Sequence, residues 1–393
     1  MKRILLAWEY GGALGHLARL RPLARRLIAA GHDITLALRP SPHIGELPEA
    51  FRVVPVPPGQ MARDAIRQPV SMADVLYNQA ASDRRALASQ VRAWHGLFDL
   101  VRPDVVVLDH SPVALLAVQG YPASKVLLGT GFACPPAVKP LPDLRAWQNH
   151  YPDRIQATEL TVLESLNAQL SRQNAPELKC VGQLFERVDA SFLTTFPELD
   201  HYPDRTSGEY WGTWSDLVGE APVWPEGDGP CIFAYLKPHR ALPELLDHLA
   251  HLPARTLAYV GGPFNGQRWN NGRVRISPRP LDMGQVAQQC DLAVLHAGHG
   301  ATAAMLLAGR PVLQLPIHIE QYHNAERTVA LGAGVHVTLG DVEGFRVGLE
   351  RLFNEPELTK GAQAFARRHA DHDPGEQLER LVDRLERMTS TDD

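Results

Sequence analysis

The sequence predicts an α/β protein with two parallel sheets, each flanked by helices. Three observations lead to this expectation: short apolar runs end at glycine-containing turns, helix patterns follow those turns, and the chain has 393 residues. An apolar run, a helix and another apolar run in that order are typical of a parallel sheet. Because 393 residues exceed what one ordinary hydrophobic core takes, the length indicates two domains.

The first domain opens with a strand at residues 4–8, a glycine-rich loop, a helix at 16–30 and a strand at 34–38. This order is Rossmann-like and predicts parallel strands. The loop sequence at residues 11–15 is Gly-Gly-Ala-Leu-Gly, which differs from the Gly-x-Gly-x-x-Gly pattern of dinucleotide sites. The loop therefore gives little support to an NAD site.

His16 opens the predicted helix, where the positive end of the helix dipole disfavours the protonated imidazole. A neutral imidazole can accept a proton, as a general base must. The strand at 105–109 ends in Asp109 at the same sheet edge, and this carboxylate could bind the far ring nitrogen. Each residue alone has an ordinary alternative as a helix cap. Together they indicate a catalytic pair.

The second half contains a strand at 291–295, a glycine-bearing turn and a helix at 301–307. A turn from strand to helix presents backbone N–H groups and the positive end of the dipole, which attract phosphate. Gly298 and Gly300 allow the backbone to approach a ligand closely. His296, His299 and Thr302 complete the segment, and the first and last of these could add side-chain donors.

Glu320 and Gln321 follow the next apolar run, at residues 311–316. Ligands of open α/β sheets bind beyond the carboxyl ends of the strands. Glu320 can accept two sugar hydroxyls, and Gln321 can both accept and donate. The alternative is an ordinary turn with a solvated polar pair, which the full order of residues disfavours.

The order of these residues resembles the C-terminal signature of GT-B glycosyltransferases of family 1, which includes the UDP-glycosyltransferases and the bacterial macrolide-type enzymes. That signature runs His-x-Gly-Gly-x-Gly-Thr, a Gly-x-Pro strand, Asp/Glu-Gln and an Asn-Ala helix. The chain differs at His299 and Ala301, where the family usually has glycine. The matching positions are His296, Gly298, Thr302, 309–311, Glu320, Gln321 and 324–325.

The resemblance implies a GT-B fold, in which two Rossmann-like domains face each other across a cleft. The N-terminal acceptor domain is expected at 1–205, a linker at 206–229 and the nucleotide-sugar domain at 230–374. The final helix and tail, 375–393, would return to the first domain. In the family, a Gly-His at the first loop supplies the base and an aspartate at a strand end supports it. His16 and Asp109 match that pattern.

The resemblance also places donor-binding residues on the second domain. The turn from His296 through Gly298, His299 and Gly300 to Thr302 would bind the diphosphate. The backbone near Arg279, Pro280 and Leu281 would meet the nucleobase. Lys237 follows the strand at 231–236, where the family has a small polar turn, and is a candidate phosphate contact.

Composition excludes several other classes of protein. The net charge of −5 argues against a nucleic-acid binder. The four cysteines are far apart in sequence, which indicates reduced thiols of a cytoplasmic protein. No apolar run approaches the ~20 residues that a membrane span needs. His318, Glu320 and His323 lack the His-Glu-x-x-His spacing of a zinc site. We expect no metal and no cofactor beyond a nucleotide sugar.

The sequence therefore predicts an inverting, metal-independent glycosyltransferase. It would move a sugar from a UDP- or dTDP-linked donor to a hydroxyl of a small-molecule or lipid acceptor. Two alternatives remain open: a UDP-GlcNAc 2-epimerase-like enzyme without an acceptor, and a non-catalytic nucleotide-sugar-binding protein. The residues indicate neither the sugar nor the acceptor nor the oligomeric state.

Overall fold

The structure is a computed structural model. It describes residues 1–41, 44–45, 47–48, 50–148, 152–215, 219–270 and 272–388, with backbone alone at positions 13 and 152. Residues 216–218 of the expected linker and the tail from 389 lie outside the described residues.

Two compact α/β units make up the chain. Residues 1–214 and 374–393 form the first unit, and residues 215–373 form the second. Each unit contains one sheet whose paired strands all run parallel. The predicted class, two α/β units with parallel sheets, is confirmed.

Seven strands form the first sheet, in the order β3-β2-β1-β4-β5-β6-β7. The strands are β1 Arg3–Trp8, β2 Asp33–Leu38, β3 Arg52–Pro55, β4 Val105–Asp109, β5 Ser124–Gly129, β6 Ala190–Leu193 and β7 Glu209–Tyr210. The helices are α1 Ala13–Ala29, α2 Met72–Leu76 with a π-helical turn Tyr77–Ala81, α3 Arg84–Val101, α4 Pro112–Ala117, α5 Pro152–Arg172 and α6 Gln183–Glu186.

The register of the first sheet brings the candidate catalytic segments together. Trp8 at the end of β1 pairs with Asp109 at the end of β4. Because the strands are parallel, the loop into α1 leaves from the same edge as Asp109. Helix α1 begins at Ala13 with Gly12 as its N-cap, so His16 is the fourth helical residue rather than the first. Ala13 and Leu14 are good helix formers, which explains the earlier start.

Six strands form the second sheet, in the order β10-β9-β8-β11-β12-β13. The strands are β8 Cys231–Leu236, β9 Arg255–Val260, β10 Val274–Ser277, β11 Leu292–Leu295, β12 Val312–Gln314 and β13 Gly334–His336. The helices are α7 Leu242–His251, α8 Met283–Gln289, α9 His299–Leu307, α10 Ile319–Ala330, α11 Val342–Asn354 and α12 Pro356–Arg368.

After the second unit, α13 (Pro374–Arg387) joins the first unit. Leu378, Leu381 and Leu385 recur at helical spacing, so they share one apolar face. That face is buried in the same core as Leu20 and Leu27 of α1. The helix that carries His16 is therefore covered by a helix from the far side of the sequence.

Within the described ranges, no helix is both long enough and apolar enough to span a bilayer. The four cysteines are buried and form no disulfide.

Candidate functional site

His16 lies against two neighbours at the carboxyl edge of the first sheet. Its Nδ1 is 3.0 Å from Oδ1 of Asp109, which is 0% exposed. The two atoms are close but are not aligned as a hydrogen bond. The Trp8 indole stacks on the imidazole, with ring centroids 5.1 Å apart and planes 16° apart. The ring is thus oriented by a buried carboxylate and an aromatic face.

Gly11 fits the opposite side of the imidazole. Its φ is +95°, in the left-handed region that favours glycine. A Cβ at this position would lie 2.7 Å from Nε2 of His16. The loop backbone therefore approaches the outer ring nitrogen so closely that no side chain fits.

Arg19 is a second partner of Asp109 that the sequence analysis missed. Its Nε lies 3.7 Å from Oδ2, and its Nη1 donates to Oγ1 of Thr194 across 2.7 Å. Burial raises the pKa of Asp109, but the charge of Arg19 and the contact with His16 outweigh it, so the pKa lies below its usual range. Asp109 is therefore ionised at neutral pH. The available signal was spacing: Arg19 follows His16 by three residues on α1.

His110 is a third residue that the sequence analysis missed. It is buried, has φ +48° and packs edge-on against Tyr10 and Phe132. Burial, and after it the electrostatic effect of the neighbouring His16, lower the pKa of His110 to about 3. Its imidazole is therefore neutral. Its place directly after Asp109 was the only signal in the sequence.

Glu9 fixes the backbone behind these residues. Its carboxylate accepts hydrogen bonds from Nε1 of Trp94 at 2.8 Å and from the amides of Val113 at 2.9 Å and Ala114 at 3.1 Å. Burial raises the pKa of Glu9 to about 7, against the lowering effect of these donors. Glu9 thus joins the end of β1 to the start of α4.

In the second unit, His296 directly follows β11. Its Nδ1 lies 3.2 Å from the carbonyl oxygen of Tyr235. Because a carbonyl can only accept, Nδ1 carries the hydrogen. Burial and the charge of Lys237 lower the pKa of His296 to about 4. The neutral ring therefore presents a lone pair at Nε2.

The turn after His296 leads directly into helix α9. Ala297 has φ +58°, and Gly298 is the N-cap of α9. A Cβ on Gly298 would lie 3.0 Å from Nε2 of His296, whereas Gly300 faces open space. The first turn of a helix carries N–H groups that its own backbone does not use. His299 occupies the first helical position of this turn.

Thr302 supports the turn from behind. It is fully buried, and its Oγ1 donates to the carbonyl of Gly298 at 3.0 Å. The same oxygen accepts from Nε2 of Gln314 at 2.8 Å and from Nδ2 of Asn324 at 3.0 Å. Asn324 also donates to the carbonyl of Ala297 at 3.1 Å. These contacts occupy the Thr302 hydroxyl, which holds the turn in place.

Lys237 leaves the end of β8 toward the same turn. Its Nζ lies 5.4 Å from the ring centroid of Tyr235 and would be 2.6 Å from a Cβ at Gly261. Burial lowers the pKa of Lys237, and its charge acts on His296. A half-buried cation therefore accompanies the helix N-terminus and the neutral imidazole.

Glu320 and Gln321 lie in the first turn of α10. Gln321 is buried, and its Oε1 accepts from the amide of Ile317 at 2.9 Å. The Oε1 atom of Gln321 therefore has a backbone partner. Glu320 is half-buried. It follows β12, the strand that lies next to β11 in the sheet.

The segment expected to meet a nucleobase already has protein partners. The carbonyl of Arg279 accepts from Oγ of Ser277 at 2.7 Å, and that of Pro280 accepts from the amide of Glu220 at 2.9 Å. Leu281 is buried, and it lies opposite Glu220 because the residues on either side of it, Pro280 and Asp282, hydrogen-bond to the Glu220 backbone. The Arg279 guanidinium is exposed and paired with Glu220 at 3.0 Å. Of the three residues, the backbone of Leu281 is outside these hydrogen bonds.

Comparison with known proteins adds an independent line of observation. Residues 269–384 match the family model described as the erythromycin biosynthesis protein CIII-like C-terminal domain. The chain is 24% identical over 392 residues to a PGL/p-HBAD biosynthesis glycosyltransferase of Mycobacterium tuberculosis, covering 93% of this chain and 88% of that protein.

Two solved structures share the fold over nearly the whole length of this chain. The calicheamicin glycosyltransferase CalG4 superposes with a TM-score of 0.73 at 19% identity, covering 98% of this chain and 99% of that one. The Streptomyces sp. SF2575 glycosyltransferase SsfS6, in complex with thymidine diphosphate, has a TM-score of 0.64 at 18% identity, covering 98% and 100%. The chain has the GT-B fold and resembles family 1 glycosyltransferases. Together the matches support assignment as a glycosyltransferase.

In this GT-B chain, both departures from the signature lie in the first turn of α9. His299 and Ala301 are half-buried there. The matched family segment begins shortly before β10 and runs through α12 into α13. The described part of the chain holds no cluster of three potential metal ligands.

Proposed function

We propose that this glycosyltransferase inverts the sugar that it transfers and that His16 is its general base. The observation that carries the proposal is the 3.0 Å approach of His16 Nδ1 to the buried Asp109 carboxylate. An ionised carboxylate favours the tautomer with hydrogen on Nδ1, which leaves the lone pair of Nε2 for an acceptor hydroxyl. The acceptor oxygen would attack the anomeric carbon while the nucleoside diphosphate leaves from the opposite face.

Several groups of the second unit support a nucleoside diphosphate sugar as donor. The α9 N-terminus and Lys237 supply positive potential for a diphosphate. Glu320 and the amide of Gln321 offer partners for sugar hydroxyls. Because these groups offset the charge of the leaving diphosphate, we propose a metal-independent reaction.

We propose UDP- or dTDP-linked sugars as the donor class and a hydroxyl of a small molecule or lipid as the acceptor. SsfS6, one of the similar structures, was solved with thymidine diphosphate, and the mycobacterial relative acts in PGL/p-HBAD biosynthesis. Both observations favour this range of substrates.

The decisive variant is His16→Ala, assayed separately for nucleotide binding and for transfer. Binding of UDP or dTDP, followed by the rise in melting temperature with ligand, should remain. Transfer should fall by about 100-fold or more, because general bases contribute about 10²–10⁴-fold. His251→Ala, on the exposed end of α7, is the matched control. Transfer by His16→Ala at the wild-type rate would exclude this residue as the base.

Incubation with UDP-GlcNAc alone tests the alternative of an epimerase. Conversion of the sugar without an acceptor would favour that reaction. Binding of nucleotides without turnover across an acceptor panel would instead indicate a binding protein.

A further inference from the structure

The buried carboxylate of Asp109 has different partners on its two oxygens. Oδ1 faces His16, whereas Oδ2 lies 3.7 Å from Nε of Arg19. Both the side chain and the backbone of Arg19 are hydrogen-bonded. Its Nη1 donates to Thr194, and its backbone carbonyl accepts from Nε1 of Trp214 at 3.1 Å. Arg19 is nearly buried, so its position is set by packing and hydrogen bonds rather than by solvent.

A carboxylate that is 0% exposed needs a compensating charge to stay ionised. The neighbours that act on Asp109 electrostatically are Arg19, His16 and His110. His110 is neutral, and burial raises the pKa of the nearby Cys134 thiol to about 12, so the thiol is neutral too. A general base must also be neutral before it acts. Within this set, Arg19 alone carries a permanent charge.

We propose that Arg19 is a positioning residue that keeps Asp109 ionised and oriented for His16. Asp109 then accepts from Nδ1–H of His16, and Nε2 keeps its lone pair. Without Arg19, the buried carboxyl group would bind a proton at a pH about 1–3 units higher, and in its protonated form it would donate that hydrogen toward Nδ1. The ring hydrogen would then move to Nε2, which could no longer accept a proton from an acceptor hydroxyl.

This inference rests on the proposed function only for its catalytic consequence, so its main test needs no substrate. Protein labelled with ¹³C in the aspartate carboxyl groups and with ¹⁵N in histidine is titrated by NMR, and Asp109→Asn assigns the signal. In Arg19→Met, the titration midpoint of Asp109 should rise by about 1–3 pH units, the usual effect of one nearby opposite charge. As Asp109 binds its proton in Arg19→Met, the ¹⁵N shifts of His16 should move from those of the Nδ1–H tautomer toward those of the Nε2–H tautomer.

Two variants separate charge from packing. Arg19→Lys keeps the charge and should leave the Asp109 midpoint within about half a pH unit of the wild type. Thr194→Val removes the hydrogen bond to Arg19 Nη1 but keeps the Arg19 charge. The Asp109 midpoint should therefore also stay within about half a pH unit of the wild type. Arg19→Gln replaces Arg19→Met if the methionine variant does not fold.

An Asp109 midpoint that does not move in the neutral variants would overturn the proposal. A rise in Thr194→Val as large as that in Arg19→Met would assign the effect to packing and would overturn it as well. Release of UDP or dTDP from the matching nucleotide sugars is measured in parallel across a panel of hydroxyl acceptors. A normal Asp109 response in a protein without any turnover would leave the role of Arg19 standing and reject the proposed reaction.

Discussion

His296 donates its Nδ1 hydrogen to the carbonyl oxygen of Tyr235 across 3.2 Å. The neutral ring therefore cannot donate from Nε2, although a phosphate oxygen needs a donor. The free protein holds the pKa of His296 at about 4, chiefly through burial. A bound diphosphate would raise that pKa by its negative charge. Binding of a diphosphate at this turn, as proposed above, would therefore be coupled to protonation of His296.

We predict that UDP or dTDP binding takes up a proton at His296. The affinity should rise as pH falls between the pKa of the complex and about 4, by up to about tenfold per pH unit. Calorimetry at pH 6 in buffers of different ionisation enthalpy measures the uptake directly. His296→Gln should bind more weakly and take up no proton. Equal uptake by the two proteins would place the proton elsewhere.

Lys237→Met should weaken UDP or dTDP binding by about tenfold or more, because a hydrogen bond to a charged group contributes about 1.5–3 kcal/mol. Binding of the nucleosides uridine and thymidine should change little, since they lack phosphate. Lys360→Met is the control: this exposed lysine on α12 pairs with Glu357 at 2.7 Å. An equal loss for nucleosides and diphosphates would point to a general disturbance of the unit.

Gly11→Ala should abolish transfer while leaving nucleotide binding in place. The new methyl group would meet Nε2 of His16 at 2.7 Å on a backbone with φ +95°. Gly12→Ala is the matched control, because no atom lies within 4 Å of a Cβ there and its φ is −81°. Transfer rates for both variants, with circular dichroism to check folding, decide the matter. Normal transfer by Gly11→Ala would mean that the loop moves away from His16.

Glu9 should make the free energy of unfolding depend on pH. Its folded pKa of about 7 lies above the ordinary 4.5, so the folded state holds the proton longer than the unfolded chain. Its contribution is therefore most favourable below pH 4.5 and is lost as pH rises through about 7, by about 3 kcal/mol at 1.4 kcal/mol per unit. Denaturation of wild type and Glu9→Gln at pH 5 and pH 8 tests this. The wild-type advantage should shrink at pH 8, and a constant difference would contradict the assignment.

The regular elements near the site were predictable because each has a local cause. The strands expected at 4–8, 34–38 and 231–236 occur as Arg3–Trp8, Asp33–Leu38 and Cys231–Leu236. Apolar runs bounded by glycine or polar residues mark such strands directly. Parallel pairing then brings strand ends to one edge, which explains why His16 and Asp109 could be placed together.

Contacts between distant side chains were not predictable in the same way. Arg19 reaches Thr194 across 175 positions, and no local pattern indicates that hydrogen bond. The hydrogen bonds of Thr302 were equally unpredictable from local sequence. Its hydroxyl is occupied by Gln314 and Asn324 from neighbouring elements, which the sequence order alone does not show.

The packing of α13 against α1 has a consequence for how the chain is made. Leu378, Leu381 and Leu385 bury a face of the helix that carries His16. Because α13 follows residues 215–373 in chain order, the ribosome must synthesise the whole second unit before that face can be covered. The second unit can complete its own core during translation. In the first unit, the apolar face of α1 that packs against α13 stays exposed to water until α13 has been synthesised. Chaperone demand should therefore centre on the first unit.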